Sequence, residues 1–371
     1  MRGKRVIRWI LIQFLVAVIL FSGYAVYKLI VIKPPSEEVN EAREAIALAK
    51  EVHATKYASA KLLKAEQLFK ETMAEWETQN QKFFIFRDFS RTVELAATSL
   101  KYSQQAQNSA GTAKNNSKAK LENELKEIAD NISRFDRLYK KLPLGRSTFD
   151  KYNDGKLKYL EAESNYKKGD YQKGLILAGL AKEKMEQTEA ASHVKLNRFF
   201  ESYPEWKRNA ERAVQLSKKG QTVVLINKME STVSVLKSGK KVKVLEAEFG
   251  LNWMGDKIMK GDKTTPEGIY KVVEKKRGVR TKYHKALLLN YPNDQDLVKF
   301  EKLKRSGEIS KNAQIGGLIE IHGGGGKGVH WTDGCIALDN KDMDAVYDLC
   351  SASTPVVIVG SEITLEEYLK Q

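Results

Sequence analysis

The chain of 371 residues predicts a multidomain fold, α then mainly β: a transmembrane helix, an α-helical hairpin or bundle region, and a C-terminal β-sandwich domain. Three observations predict it. An uncharged apolar run lies near the start, apolar residues then recur at three- and four-residue steps, and beyond Gly220 the period drops to two.

The apolar run extends from Trp9 to Tyr27, interrupted only by Gln13, behind Arg2, Lys4, Arg5 and Arg8. Nineteen residues in a helix cover roughly 28 Å, the hydrocarbon thickness of a bilayer. The basic excess before the run predicts that end inside the cell and everything after Pro34-Pro35 outside. The competing reading is a cleaved signal peptide ending near Gly23-Tyr24-Ala25; the renewed apolar stretch Leu29-Ile30-Val31-Ile32 favours the anchor. The limits read from composition are 1–35 for the anchor, 36–219 for the helical region and 220–371 for the β domain.

From Ser36 to about Gln81 the spacing of Val39, Ala42, Ile46, Ala49, Leu62, Ala65, Phe69 and Trp76 predicts one long amphipathic helix, about 69 Å if unbroken. A second is expected from Asp88 to Ser109, ending at the polar break Ala110 to Asn116. The third follows Leu121, Leu125, Ile128, Ile132, Phe135, Tyr139 and Leu142 until Pro143 stops it. Helices from Thr148 to Lys168 and Asp170 to Phe199 echo the earlier pair: Leu62 to Phe69 resembles Tyr159 to Tyr166, so a helix hairpin occurs twice. Such a region suits a spacer or a docking surface for a protein partner. A last helix, Pro204 to Lys219, is closed by Gly220.

Strands are then expected at Thr222–Ile226, Thr232–Leu236, Val242–Ala247, Gly268–Val273, Ala286–Asn290, Gly317–His322, Cys335–Leu338 and Pro355–Val359, with one helix at Asp342–Leu349. The polar stretch Leu297 to Asn312 reads as a loop over a cleft, as does the basic run Glu274 to Lys285.

The net charge of +16 attracts polyanions, but no segment resembles a nucleic-acid-binding motif. For an exported chain the polyanions are wall polymers and anionic lipid headgroups, and no nucleic acid is expected. The only cysteines, Cys335 and Cys350, exclude a disulfide scaffold. Cys335 reads as a reactive thiol and Cys350 as a buried packing residue. No metal or cofactor is expected, because ligand-type residues lack close spacing.

Chemistry concentrates at Ile321-His322-Gly323 and, thirteen residues after the histidine, at Cys335 within Thr332-Asp333-Gly334-Cys335-Ile336. A base and a thiol flanked by glycine are the minimum parts of a cysteine acyl-transferase. His330 is the rival base.

With Thr265-Pro266-Glu267-Gly268 upstream and Thr354 to Ile358 closing the segment, residues from about Gln221 to Gly360 resemble the L,D-transpeptidase catalytic domain, the YkuD-like family of cell-wall enzymes. The resemblance implies Cys335 as nucleophile, His322 as general base, and backbone donors at Asp333, Gly334 and Cys335 for the oxyanion. Gly323, Thr332, His330, Trp331 and Tyr283 are expected around the substrate, a peptidoglycan stem peptide. It implies a thioester formed with release of D-alanine and resolved by an amine; water as acceptor would make a carboxypeptidase, and hydrolysis of wall-protein links or a non-catalytic wall-binding scaffold are further alternatives. Many relatives carry His or Arg where this chain has Asp333, and Arg where it has Ala337, which leaves the residue holding the substrate carboxylate unassigned. The implied location is the bacterial cytoplasmic (inner) membrane, single-pass, with the catalytic domain in the periplasm or extracytoplasmic space.

Overall fold

The computed structural model describes residues 2–371, the side chains of residues 2 and 4 excepted. Helix α1 (Arg2–Val31) presents its large apolar side chains outward along its whole length. Its apolar stretch is long enough to cross a membrane by length and composition.

The chain divides into two compact units, residues 1–126 with 161–178, and residues 127–160 with 179–371. In the first, the single helix expected over 36–81 is instead a hairpin of α2 (Ser36–Glu51) and α4 (Ser59–Gln81) around the short α3 (Ala54–Tyr57). The break falls where His53 adopts a left-handed backbone, φ 63°, which no side chain but an Asn- or His-like one enters readily. Folding back lets small residues meet: Ala49, Ala54, Leu62, Ala65, Ala106 and Ala110 form one buried cluster, and Val39, Ala42 and Ala96 another. The Ser99 hydroxyl donates to the Ala65 carbonyl at 2.8 Å and the Gln107 amide to the Ala45 carbonyl at 2.9 Å, contacts that need the close approach alanine allows.

The break expected at 110–116 is absent, because α5 runs continuously from Ser90 to Leu138. Gly111 costs such a helix only about 1 kcal/mol, and buried Ala106, Ala110 and Leu121 on either side hold it. Helices α6 (Arg146–Lys167) and α7 (Tyr171–Phe200) follow the expected limits and are joined through Gly169 at φ 75°.

In the second unit Phe135 stacks on Tyr152 at 4.1 Å with Phe149 edge-on, and α8 (Tyr203–Lys218) packs against the sheet through Trp206. A Cβ on Gly360 would lie 2.2 Å from that indole. The strands are β1 (Val223–Asn227), β2 (Thr232–Lys237), β3 (Lys240–Glu246), β4 (Gly268–Arg277), β5 (Lys285–Leu289), β6 (Glu320–His322), β7 (Ile336–Ala337) and β8 (Pro355–Val359). They form one continuous sheet of order β3-β2-β1-β8-β4-β5-β6-β7, where the sequence predicts a small sandwich or barrel-like sheet. The sheet curls at β4: Gly268–Lys271 pair with β8, while Val272–Arg277 pair with β5 through a register shift at Val272/Glu274. Besides α10 (Asn340–Leu349) there are α9 (Asp294–Ser306) and α11 (Leu365–Leu369), so the loop expected over 297–312 is largely helix. Asn293 and Asp296 close a reciprocal capping box at its start.

Beneath the Thr265 to Gly268 turn, Lys228 is fully buried and pairs with Glu267 at 2.6 Å, while Trp206 donates to the other carboxylate oxygen at 2.7 Å. Burial pushes the Glu267 carboxyl up and Lys228 pulls it back. Lys228→Met is therefore expected to destabilise this unit by about 3–5 kcal/mol, by stranding a buried carboxylate, and Lys228→Met/Glu267→Gln to recover most of that loss. Urea midpoints of the two variants check it.

Candidate active site

Parallel pairing of β6 with β7 sets Ile321 beside Ile336 and His322 beside Ala337. Side chains alternate along a strand, so Ala337 shares the face of His322, and Cys335 immediately precedes β7. Both isoleucines are fully buried and pin the register. His322 and Cys335 also feel the same charges, Glu320 and Lys282.

His322 is fully buried, its ring stacked on Tyr283 at 3.5 Å and edge-on to Trp331 at 6.0 Å. Nδ1 lies 2.8 Å from the Gly323 carbonyl, which can only accept, so the proton sits on Nδ1 and the lone pair on Nε2. Nε2 has no hydrogen-bond partner. Burial depresses the imidazole pKa, offset in part by the Gly323 carbonyl and Glu320.

Cys335 is half-buried and unbridged. Its Sγ donates to the Leu318 carbonyl at 3.6 Å, so no thiol–imidazole bond exists in the resting chain. Burial raises the thiol pKa; the charges of Glu320 and Asp333 add to this, opposed by a Glu320 backbone bond and Lys282. The resting pair is therefore neutral thiol and neutral imidazole. Cys350 is buried and free, its thiol pushed up to about 11 by burial.

The turn before Cys335 is built by Thr332, whose hydroxyl donates to the Cys335 carbonyl at 2.7 Å and accepts the Gly334 N–H at 3.2 Å. That commits one of the three donors expected for an oxyanion, leaving those of Asp333 and Cys335. Gly334 sits at φ 126°, and a Cβ there would meet the Thr264 carbonyl at 2.7 Å.

The remaining expected residues take distinct places. Tyr283 covers the His322 ring, and Gly323 holds its Nδ1. His330 lies flat on Phe249, with Nδ1 accepting from the Phe249 N–H at 2.9 Å and Nε2 near the Ser231 hydroxyl at 3.4 Å, which engages both nitrogens structurally. Within the basic run, Lys275 caps the C-terminal end of α10 on the Tyr347 and Cys350 carbonyls, Lys276 pairs with Glu320, and Lys285 pairs with Asp344.

Spacing and motif do not reveal Glu248 or Leu318. Buried Glu248 accepts the N–H groups of Lys327 and Gly328 on one oxygen and the Trp331 indole N–H, at 2.6 Å, on the other. Its backbone exchanges both bonds with Ala337. Glu248 thus ties the loop after the glycine run, through its carboxylate, to the strand after Cys335, through its backbone. Leu318, at φ 59° and exposed, turns its carbonyl onto the thiol. Glu248→Gln places an amide N–H₂ against a donor and is expected to slow turnover about ten- to hundredfold, with Cys335 alkylation unchanged. Steady-state rates and iodoacetamide labelling measure the two separately.

Residues 221–358 match the family model of the L,D-transpeptidase catalytic domain. Similar solved structures include Bd1075 of Bdellovibrio bacteriovorus, 24% identical over 41% of this chain and 52% of that one, TM-score 0.30. An L,D-transpeptidase from Xylanimonas cellulosilytica is 17% identical, covering 38% and 61%, TM-score 0.27. L,D-transpeptidase 1 of Mycobacterium tuberculosis is 13% identical, covering 38% and 62%, TM-score 0.25. The chain thus spans roughly half to three-fifths of their lengths. No curated protein matches it significantly.

Proposed function

We propose that this chain is a membrane-anchored peptidoglycan L,D-transpeptidase in which Cys335 is the nucleophile and His322 the general base. The limits 1–35, 36–219 and 220–371 then separate an anchor, a helical spacer and the catalytic domain. The observation that supports the reading is the bare Nε2 of His322 on β6, next to β7, the strand that the partly exposed Cys335 leads into.

For the thiol to reach Nε2, Cys335 must first release the Leu318 carbonyl. Nε2 takes the thiol proton as sulfur attacks the carbonyl of the third stem residue, and the developing oxyanion is received by the Asp333 and Cys335 N–H groups. Collapse breaks the amide bond, the His322 proton goes to the departing D-alanine amine, and a Cys335 thioester remains. An amine from a second stem attacks that thioester, its proton passes to Nε2, and a cross-linked peptide leaves with the thiol restored. Tyr283 and Leu318 offer apolar surface to the stem, and Arg277, Arg280 and Lys282, the last set over the Tyr283 ring at 5.1 Å, suit an acidic stem. The anchor reading of α1 puts the domain in the periplasm or extracytoplasmic space.

Purified full-length chain incubated with disaccharide-tetrapeptides, products followed by mass, tests the proposal. Cross-linked dimers that vanish with Cys335→Ala support transfer. Tripeptides alone make the enzyme a carboxypeptidase on the same site, and unchanged substrate supports the wall-binding scaffold.

A further inference from the structure

Between α4 and α5 the chain makes a tight turn, Phe84–Phe86, within the sequence Lys82-Phe83-Phe84-Ile85-Phe86-Arg87. Ile85 is buried and pins the turn, which leaves residues Phe83 and Phe86 62% and 68% exposed. Two outward phenylalanines on one turn are costly in water, and their basic flanks match an anionic surface.

The turn packs against α1 in the same compact unit. The contact lies toward the end of α1 where the apolar run gives way to charge: the Lys28 ammonium, set over the Tyr24 ring, is close enough to Asp88 to help lower its carboxyl pKa, behind the Ser90 hydrogen bonds that dominate that shift. Tyr24, Tyr27, Lys28 and Lys33 are the aromatic and basic residues expected where a spanning helix leaves the bilayer. The exposed rings therefore stand at the level of the bilayer interface if α1 spans.

We propose that the Phe83–Phe86 turn is a second membrane contact, inserting Phe83 and Phe86 into the headgroup and acyl boundary of the outer face of the same bilayer that α1 crosses. It rests on the anchor reading of α1 and goes beyond it. The chosen occupant is a lipid surface because the patch continues the apolar surface of α1 and joins lysine and arginine to aromatic rings, the composition of interfacial segments. A turn held at both ends of the protein's exit from the membrane fixes the tilt of the α4–α5 hairpin, where a lone helix would let it swivel.

The test uses the full chain in vesicles of phosphatidylethanolamine and phosphatidylglycerol. Phe86→Trp reports on the turn, and Leu63→Trp, at a 67% exposed position of α4, is the control. Flotation reads the anchor alone; fluorescence of each variant minus its parent reads the added indole. The expected result is that both variants float, and that only the Phe86→Trp emission is lost to lipids brominated just below the headgroup while aqueous iodide leaves it intact. In floating vesicles, emission lost to iodide and untouched by brominated lipid overturns the second contact and leaves the anchor standing. Emission shielded from both quenchers means a protein occupies the patch and likewise overturns it. Failure to float overturns both readings.

Discussion

Cys335→Ser is expected to lower stem-peptide turnover by ~10⁴-fold or more while leaving the unfolding midpoint unchanged. Serine is close to isosteric and can keep the bond to the Leu318 carbonyl, so the fold has no reason to respond. The chemistry does. A hydroxyl holds its proton far more tightly than a thiol, and burial already disfavours the anion at this position. His322, its basicity reduced by burial, cannot make up the difference. Product formation by mass and thermal unfolding of the same preparation measure the two halves of this statement.

His322→Gln is expected to cost about 10²–10⁴-fold in turnover and to change the shape of the pH profile. In the parent enzyme the base must be neutral. Its pKa lies below the ordinary histidine value of 6.5, so activity present at neutral pH is lost only as pH falls through that lower value. With glutamine in place that acid limb disappears, and the residual rate climbs with pH toward the raised pKa of the thiol. An acid limb retained in His322→Gln would assign it to another group.

The parts of this structure that could be read from the chain are those set by side-chain period and by paired motifs. Leu121 to Phe135 mark one face of α5 because each is held in a packed seam, although the helix ends at Leu138 and leaves Tyr139 and Leu142 in the turn beyond it, and the β8 residues Val356 to Val359 form an unbroken apolar run because both faces of that strand are covered. The candidate residues His322 and Cys335 stand out in the chain because glycine flanks both. The break at His53 was not, since a residue with a left-handed backbone looks like any other polar residue in a helical pattern. Gly111 misled in the opposite direction: a lone glycine is affordable in a helix packed on both sides. Helix α9 carried its signal in Asn293 and Asp296, a capping box hidden by few buried apolar positions beyond Phe300. Glu248 could not be found by spacing, because its partners Lys327, Gly328 and Trp331 lie about eighty residues away and are mostly backbone groups. Leu318 escaped because its role lies in its carbonyl and positive φ, neither of which a leucine announces.

The two heaviest effects meet in one intermediate. The decisive measurement is to mix the full-length chain with a disaccharide-tetrapeptide in the absence of acceptor, quench in acid, and map the adduct by mass. The account predicts a tripeptide acyl group on Cys335, one D-alanine released per adduct, and its transfer when an amine is added. Release of D-alanine with Cys335 unmodified, undiminished in Cys335→Ser, would contradict it.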